Sequence, residues 1–342
     1  MQQNISKKNN ADVEFPVVII HRGYSNYLKW AILQAKRYNS RVVLIGDDKN
    51  ERLKEYVEFF HINKFTSSLT SKFSNVYKHM STNTFNFEFI CFERWFLLLK
   101  FMETEYVNMV VHLDSDVMLY DTLNVVFKEF DKNTLAAYHI PEQTFTEKRW
   151  TAGGSASMWT MQGLVKFCTF IVDSYKSDIN LLRNKWNWHL SSSMQGGICD
   201  MTLLYLFYLK HKFEIINLAK TSINELGQNY TVELQLNTSE NYYKDEFAMS
   251  KSKFLFKIKD IVHQNGRIKG YNNFLNDYVI FTNLHCQGSS KILMYFFYEG
   301  DRNLKDKVEY AGFVCSYIWY KILNKTICTI KKYRKVPFFN IV

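Results

Sequence analysis

Two carboxylates lie one residue apart, directly after an apolar stretch of the chain. Asp114 and Asp116 follow residues 107–113, and Val117 and Met118 continue the apolar character beyond them. Buried carboxylates are unfavourable unless they pair, become protonated or coordinate a cation. Hard divalent cations prefer oxygen ligands. The spacing therefore predicts a strand that ends in a clamp for a divalent cation. The alternative is a turn in which both side chains are solvated.

A second set of chemically useful residues lies near the end of the chain, after another short apolar run. His285, Gly288 and Lys291 follow one another at intervals of three residues. An imidazole can ligate a metal, a glycine lets the backbone approach an anion, and a lysine supplies a point positive charge. Together with the two carboxylates, these residues are suited to hold a metal ion against a diphosphate that leaves during a reaction.

Short apolar runs alternate with amphipathic stretches in the part of the chain that must position these residues. The first half predicts strands at residues 15–20, 41–45 and 107–113 and helices at residues 26–38 and 51–60. Further predicted helices cover residues 92–103, 162–174 and 200–210, and further predicted strands cover residues 134–139, 153–159 and 281–284. This order favours an α/β fold with a Rossmann-like, mostly parallel sheet flanked by helices.

Ligands of such sheets bind at the carboxyl ends of the strands. His21, Arg22 and Gly23 follow the first predicted strand, and Asp47 follows the second in a Gly-Asp-Asp sequence. With Tyr27, these residues are the predicted binding site for a nucleotide. The Gly-Asp-Asp sequence is also typical of a simple turn.

The Asp-x-Asp sequence and the later His-x-x-Gly-x-x-Lys sequence together resemble nucleotide-sugar glycosyltransferases of the GT-A fold. They are similar to family eight, which includes glycogenin and bacterial lipooligosaccharide galactosyltransferases. The resemblance implies that Asp114, Asp116 and His285 hold Mn²⁺ or Mg²⁺, and that Gly288 and Lys291 contact the phosphates. The chain departs from the family after its first strand, where the usual Asp-x-Asn-Tyr-like signature is absent.

The same resemblance implies roles for five more residues. Arg94, on the helix before the metal-binding strand, would reach the nucleotide or a phosphate; a surface ion pair is the alternative. Ser115, Gly153 and Gly154 would place backbone near the donor, although a glycine-rich strand bend explains the glycines equally well. Asp200 would bind the acceptor, stabilise the reacting sugar or act as general base. A helix N-cap is its simpler role.

Composition indicates one globular enzyme with a basic tail. The chain has 342 residues, 47% of them hydrophobic, which supports a substantial core. We expect a disordered lead at residues 1–14, a GT-A catalytic domain at residues 15–300 and a basic amphipathic helical tail at residues 301–342. Within the domain, the polar residues 221–271 predict loops with one or two strands.

The net charge of +10 favours anionic partners. Residues 321–335 carry six basic and no acidic side chains, interleaved with apolar ones, which is typical of a segment that contacts an anionic membrane. The alternative is a terminal helix packed on the domain. Without an apolar run of about 18 residues or a signal peptide, we expect a cytoplasmic protein, peripheral at the cytosolic membrane face.

The motifs together predict a metal-dependent hexosyltransferase that moves a sugar from a UDP-sugar to a glycan or glycolipid, with retention of configuration. Haloacid-dehalogenase-like phosphatases also place Asp-x-Asp after a strand, with the first Asp as nucleophile. Here, however, Met118 replaces their Thr or Val, and the acidic motif at Asp47 precedes the pair. The charge also allows a basic nucleic-acid-binding protein, but zinc-finger, RNP and helix-turn-helix signatures are absent, so we expect no nucleic-acid partner.

Overall fold

The computed structural model describes residues 15–251 and 256–333. The predicted lead at residues 1–14 and the end of the predicted tail at residues 334–342 lie outside the described residues. No helix in the described part of the chain is long and apolar enough to cross a bilayer.

The strands are β1 (Val17–His21), β2 (Val42–Gly46), β3 (Glu58–His61), β4 (Met109–Leu113), β5 (Val117–Leu119), β6 (Ala136–His139), β7 (Gly153–Thr160), β8 (Ile215–Asn217), β9 (Ser222–Ile223), β10 (Asn229–Thr231), β11 (Met249–Lys251), β12 (Lys257–Lys259), β13 (Ile261–Gln264), β14 (Arg267–Asn272), β15 (Asp277–Phe281) and β16 (Asn283–His285). The α-helices are α1 (Leu28–Tyr38), α2 (Ser68–Val76), α3 (Phe85–Thr104), α4 (Asn124–Phe127), α5 (Met161–Lys176), α6 (Ile179–Ser191), α7 (Asp200–Lys210), α8 (Met294–Phe297) and α9 (Leu304–Tyr333).

The central sheet has seven strands in the order β3-β2-β1-β4-β7-β6-β8. β1 pairs in parallel with β2 and β4, whereas β7 runs antiparallel to β4 and β6. The continuous apolar character of β1 and β2 suits strands that are covered on both faces. The predicted α/β fold, with a mostly parallel sheet flanked by helices, is confirmed.

Hydrophobic cores lie on both faces of this sheet. Val17 and Ile19 of β1 pack into one core with Ala31 of α1, and Val18 packs into the other with Trp95 of α3. This alternation follows from the two-residue period of a strand. The helices packed on both faces therefore fix the position of the sheet edge at which β1, β2 and β4 end.

A short antiparallel ribbon joins two distant parts of the chain. β5, which begins one residue after Asp116, pairs with β16 so that Val117 lies opposite His285 and Leu119 lies opposite Asn283. Because β16 is more than 160 residues downstream of β5, this register brings the late histidine motif to the early carboxylates.

The predicted helix at residues 51–60 is wrong. The structure has a 3-10 turn at Asp48–Leu53 and then β3. Asp47 caps the turn, and β3 pairs in parallel with β2, with Phe59 opposite Leu44. Since residues 58–61 are rich in aromatic side chains, pairing at the free edge of β2 is favoured over continuation of a helix.

The prediction of one or two strands at residues 221–271 is also wrong. β9 to β14 all begin in this stretch, and β13, β14, β15, β10 and β9 form a second sheet of five strands. Most of these strands have only two to four residues. Such strands are too short to produce a readable hydrophobic period.

His139 provides a test of the fold through its pH dependence. It lies buried on β6, where its Nε2–H donates to the Val232 carbonyl at 2.7 Å, and burial lowers its pKa from 6.5 to about 4. Between these values the unfolded chain binds the proton and the folded chain does not. The free energy of unfolding should therefore fall by roughly 3 kcal/mol from this group as the pH drops from 7 to 4.

We expect His139→Gln to lose this part of the pH dependence, because glutamine retains a donor but does not titrate. The measurement is urea unfolding of both proteins at several pH values between 4 and 7. Parallel stability curves for the two proteins would show that His139 does not remain neutral in the folded chain.

Candidate metal centre

The three predicted metal ligands lie together in the structure. Asp114 follows β4, Asp116 precedes β5 and His285 ends β16. One side-chain ligand atom from each lies within 4.8 Å of the others. We call this group the ligand triad. Two carboxylate oxygens and one imidazole nitrogen are a donor set that suits Mn²⁺ or Mg²⁺.

His285 presents its Nε2 to the carboxylates. Its Nδ1–H donates to the Leu234 carbonyl at 2.6 Å, and its Nε2 lies 3.3 Å from Asp116 Oδ1. Burial disfavours a charged ring here, but Asp116 and Asp114 outweigh burial and raise the pKa of His285 to about 9. The two carboxylates therefore favour the protonated ring, with Asp116 as its partner. A histidine that ligates a metal commonly donates its other ring N–H to a carbonyl in this way, and the bond fixes the orientation of the ring.

Lys291 is the second positive partner of Asp116. Its Nζ lies 3.1 Å from Asp116 Oδ2 and 4.9 Å from the centre of the Tyr27 ring. Burial would raise the pKa of Asp116, but His285 and Lys291 hold it well below its usual range. Gly288 begins the 3-10 turn that carries Lys291 and has a φ of +61°. This backbone conformation favours glycine and positions the lysine beside the triad.

Arg94 connects the ligand triad to Asp200. Its guanidinium contacts Asp114 Oδ1 and donates to Asp200 Oδ2 at 2.5 Å. Burial opposes the charge of Arg94, but both carboxylates raise its pKa further above the usual range. The bridge is part-buried, with 14% of the Arg94 side chain exposed, so it differs from the predicted alternative, a surface ion pair. Contact of Arg94 with the nucleotide or a phosphate stays a prediction.

Asp200 is buried at the first turn of α7 and is not the N-cap, which is Cys199. Its Oδ2 accepts from Arg94 and from Trp95 Nε1 at 3.0 Å, and its Oδ1 accepts from the backbone N–H of Met201 at 2.9 Å. Both oxygens already have donors. Oδ1 has a single donor and keeps a lone pair that could accept a proton; the role of Asp200 as a base stays a prediction.

The loop after β1 lies beside the triad. Burial and the charge of nearby Lys291 lower the pKa of His21, and Arg22 donates to Glu93 at 2.7 Å. Gly23 has a φ of +77°, and its N–H donates to Asp47 Oδ2 at 2.7 Å. Asp47 therefore stabilises the loop through the Gly23 backbone. Nucleotide binding by His21, Arg22, Gly23 and Asp47 stays a prediction.

Gly153 and Gly154 open β7 next to the triad, where both are buried. A Cβ at position 153 would lie 2.7 Å from the Leu234 side chain, and one at position 154 would lie 2.7 Å from the Trp95 ring. The glycines thus make room for two residues whose polar groups bind His285 and Asp200. Ser115 lies half-buried in the turn between Asp114 and Asp116. A backbone contact to a donor sugar stays a prediction for all three.

A second histidine near the triad, His112, escaped sequence analysis. His112 lies on β4, two residues before Asp114. It is buried, and its Nε2 lies 3.9 Å from Asp114 Oδ1. Burial and Arg94 lower its pKa to about 4. His112 Nε2, Arg94 Nε and Ser155 Oγ are buried without a hydrogen-bond partner. Unpaired polar atoms around Asp114 are consistent with a place for a polar ligand or water.

Glu233 and Lys259 were also missed. Glu233 accepts the backbone N–H of His285 at 2.8 Å, and Lys259 donates to Glu233. The available signal was a charged residue inside the alternating sequence Thr-Val-Glu-Leu-Gln-Leu. Such alternation normally directs the polar side chain to solvent, so it gives the opposite expectation.

No family model and no curated protein match the sequence. The chain is similar to the apo form of mouse xyloside xylosyltransferase 1, with 11% identity and a TM-score of 0.42 over 60% of this chain and 85% of that one. It is similar to the galactosyltransferase LgtC in complex with donor and acceptor sugar analogs, with 13% identity and a TM-score of 0.33 over 59% and 73%. It is also similar to a cytidylyltransferase from Leptospira borgpetersenii serovar Hardjo-bovis, with 14% identity and a TM-score of 0.29 over 46% and 64%.

The supporting role of Gly154 can be tested by adding one methyl group. In Gly154→Ala the new Cβ must displace the Trp95 ring, which lies 2.7 Å away. We expect the free energy of unfolding to fall by about 1 to 3 kcal/mol and the near-ultraviolet circular dichroism to change. The matched control is Gly312→Ala on α9, where no atom lies within 4 Å. There we expect unchanged or slightly higher stability, and equal losses in both variants would contradict this account.

Proposed function

We propose that this chain is a metal-dependent glycosyltransferase that takes a sugar from a nucleotide-sugar donor, a UDP-sugar in the first instance. The observation that carries the proposal is the convergence of Asp114, Asp116 and His285 with Lys291 at the carboxyl edge of the sheet. Two carboxylates, an imidazole and an ammonium in one place can neutralise a diphosphate through a shared cation.

Each residue of the site has a task in this reaction. Asp114, Asp116 and His285 hold Mn²⁺ or Mg²⁺, which when bound supplies Lewis-acid stabilisation to the departing diphosphate. Lys291 places a positive charge beside the triad, and Gly288 lets the backbone approach a phosphate. Arg94 holds Asp114 in position and offers a second cation to the nucleotide.

The acceptor is a hydroxyl of a glycan or glycolipid that attacks the anomeric carbon of the donor. If configuration is retained, the leaving phosphate accepts the hydroxyl proton and no strong base is required. In that case Asp200 positions the reacting sugar together with Arg94 and Trp95. If configuration is inverted, Asp200 becomes the general base, through Oδ1, which accepts from the Met201 N–H alone.

Donor hydrolysis tests this proposal directly. We expect the chain to release the nucleoside diphosphate from at least one nucleotide-sugar in the presence of Mn²⁺, and Asp116→Asn to lower this rate about 100-fold or more, the scale on which loss of one charge-stabilising contact acts. The assay separates nucleoside diphosphate from donor by anion-exchange chromatography, with and without a chelator.

The matched control for this experiment is Asp121→Asn. Asp121 lies five residues downstream and pairs with Arg267 at 3.2 Å, away from the triad. The Asp121→Asn variant should hydrolyse the donor at the wild-type rate. Equal rates for wild type and Asp116→Asn would remove the metal from the mechanism, and release of inorganic phosphate from a phosphomonoester would favour a phosphatase.

Membrane contact through the basic tail belongs to the same proposal. The side chains of residues 321–342 lie outside the described residues, whereas Phe313 and Val314 pack against the core. A truncation after Ser316 therefore keeps Phe313 and Val314, which pack against the core. We expect it to abolish sedimentation with vesicles that contain phosphatidylserine, because binding depends on the basic charges. Binding equal to that of the full chain would place the contact elsewhere.

A further inference from the structure

A carboxylate and an ammonium are completely buried behind the ligand triad. Glu233 and Lys259 have no exposed side-chain surface, and Lys259 Nζ lies 2.5 Å from Glu233 Oε1. Lys259 also donates to the Gln235 carbonyl at 2.9 Å and lies 5.4 Å from the centre of the Phe247 ring. Removing two charges from water is costly, and apolar residues of similar volume often replace such a pair without loss of stability. A contribution to the stability of the fold is therefore a weak explanation for the presence of this pair.

The second oxygen of Glu233 faces His285. Glu233 Oε2 accepts the backbone N–H of His285 at 2.8 Å. The neighbouring residue Leu234 accepts from His285 Nδ1 through its carbonyl, and Leu236 donates its N–H to the His285 carbonyl at 3.0 Å. Residues 233–236 thus form hydrogen bonds with the backbone N–H, the backbone carbonyl and the ring of His285.

The same segment also bonds to Asn283, two residues before His285 on β16, and to Lys259. Asn283 accepts from the Glu233 N–H at 2.8 Å and donates to the Glu233 carbonyl at 2.9 Å. Lys259 donates its backbone N–H to the Leu236 carbonyl at 2.8 Å. Both carboxylate oxygens of Glu233 thus have a partner, Lys259 on Oε1 and the His285 N–H on Oε2. These contacts favour the observed orientation of the carboxylate, in which it holds the His285 backbone.

We propose that Glu233 is a positioning residue of the metal centre and that Lys259 holds Glu233 in place. By fixing the His285 backbone, the pair directs Nε2 toward Asp116 before any ion binds. The inference rests on the proposed function, because it assigns the pair a task in binding Mn²⁺ or Mg²⁺. Partners that orient a metal-ligating histidine typically contribute 10- to 100-fold to affinity.

The test compares two double variants that both remove the buried charges. Glu233→Leu with Lys259→Met leaves the His285 N–H without an acceptor, whereas Glu233→Gln with Lys259→Met retains one. We expect the first to bind Mn²⁺ about 10- to 100-fold more weakly than wild type, and the second to stay within about threefold of wild type. Free Mn²⁺ is measured by electron paramagnetic resonance, and folding by thermal unfolding of the same samples.

Lys29 and Asp306 provide a matched control, because they form another buried pair, at 2.6 Å, between α1 and α9. Lys29→Met with Asp306→Leu should change the thermal midpoint but leave the Mn²⁺ affinity unchanged. Wild-type affinity in the Glu233→Leu variant, or equal losses in both Glu233 variants, would overturn the positioning role while the proposed function stands. Failure of the wild-type chain to bind Mn²⁺ would instead overturn the metal-dependent function, and this inference with it.

Discussion

The site depends on charge balance at two carboxylates that lie one residue apart. Asp116 is buried and Asp114 is half-buried, and carboxylates withdrawn from water in this way need a positive partner. In the structure each carboxylate has its own: Arg94 contacts Asp114, while His285 and Lys291 contact Asp116. These partners come from α3, β16 and the following turn. A bound divalent ion would neutralise part of the negative charge that these residues neutralise. The cationic residues therefore keep both carboxylates paired when no ion is bound.

The β5–β16 ribbon makes this balance geometrically feasible. Its register places His285 opposite Val117, directly beside Asp116. A shift of one residue would turn the imidazole to the other face of the ribbon. The segment 233–236 prevents such a shift, because it bonds to the backbone and ring of His285 together. The ligand geometry is therefore built from pairing and hydrogen bonds before any ligand is present.

Much of the fold around the site could be predicted from sequence. β1, β2 and β4 are short apolar runs, and α1, α3, α5 and α7 have the expected helical stretches; their bounds differ by at most two residues, except that α3 begins seven residues earlier than predicted. Two predicted regions were wrong. β3 forms because β2 offers a free edge to residues 58–61, and the strands at residues 222–272 are too short to show a period. In both regions tertiary pairing decides the structure.

The sequence by itself determined the chemistry of the site: an oxygen pair at the end of a buried strand, and an imidazole and an ammonium after a later one. Local residue types and spacing suffice for this, because each motif is a short contiguous stretch of the chain. Only the tertiary structure decided that Arg94 bridges Asp114 and Asp200, and that the two glycines of β7 accommodate Trp95 and Leu234. It also decided that Glu233 and Lys259 lie behind His285. These contacts join residues tens of positions apart, and no local pattern encodes which distant side chain fills a given space.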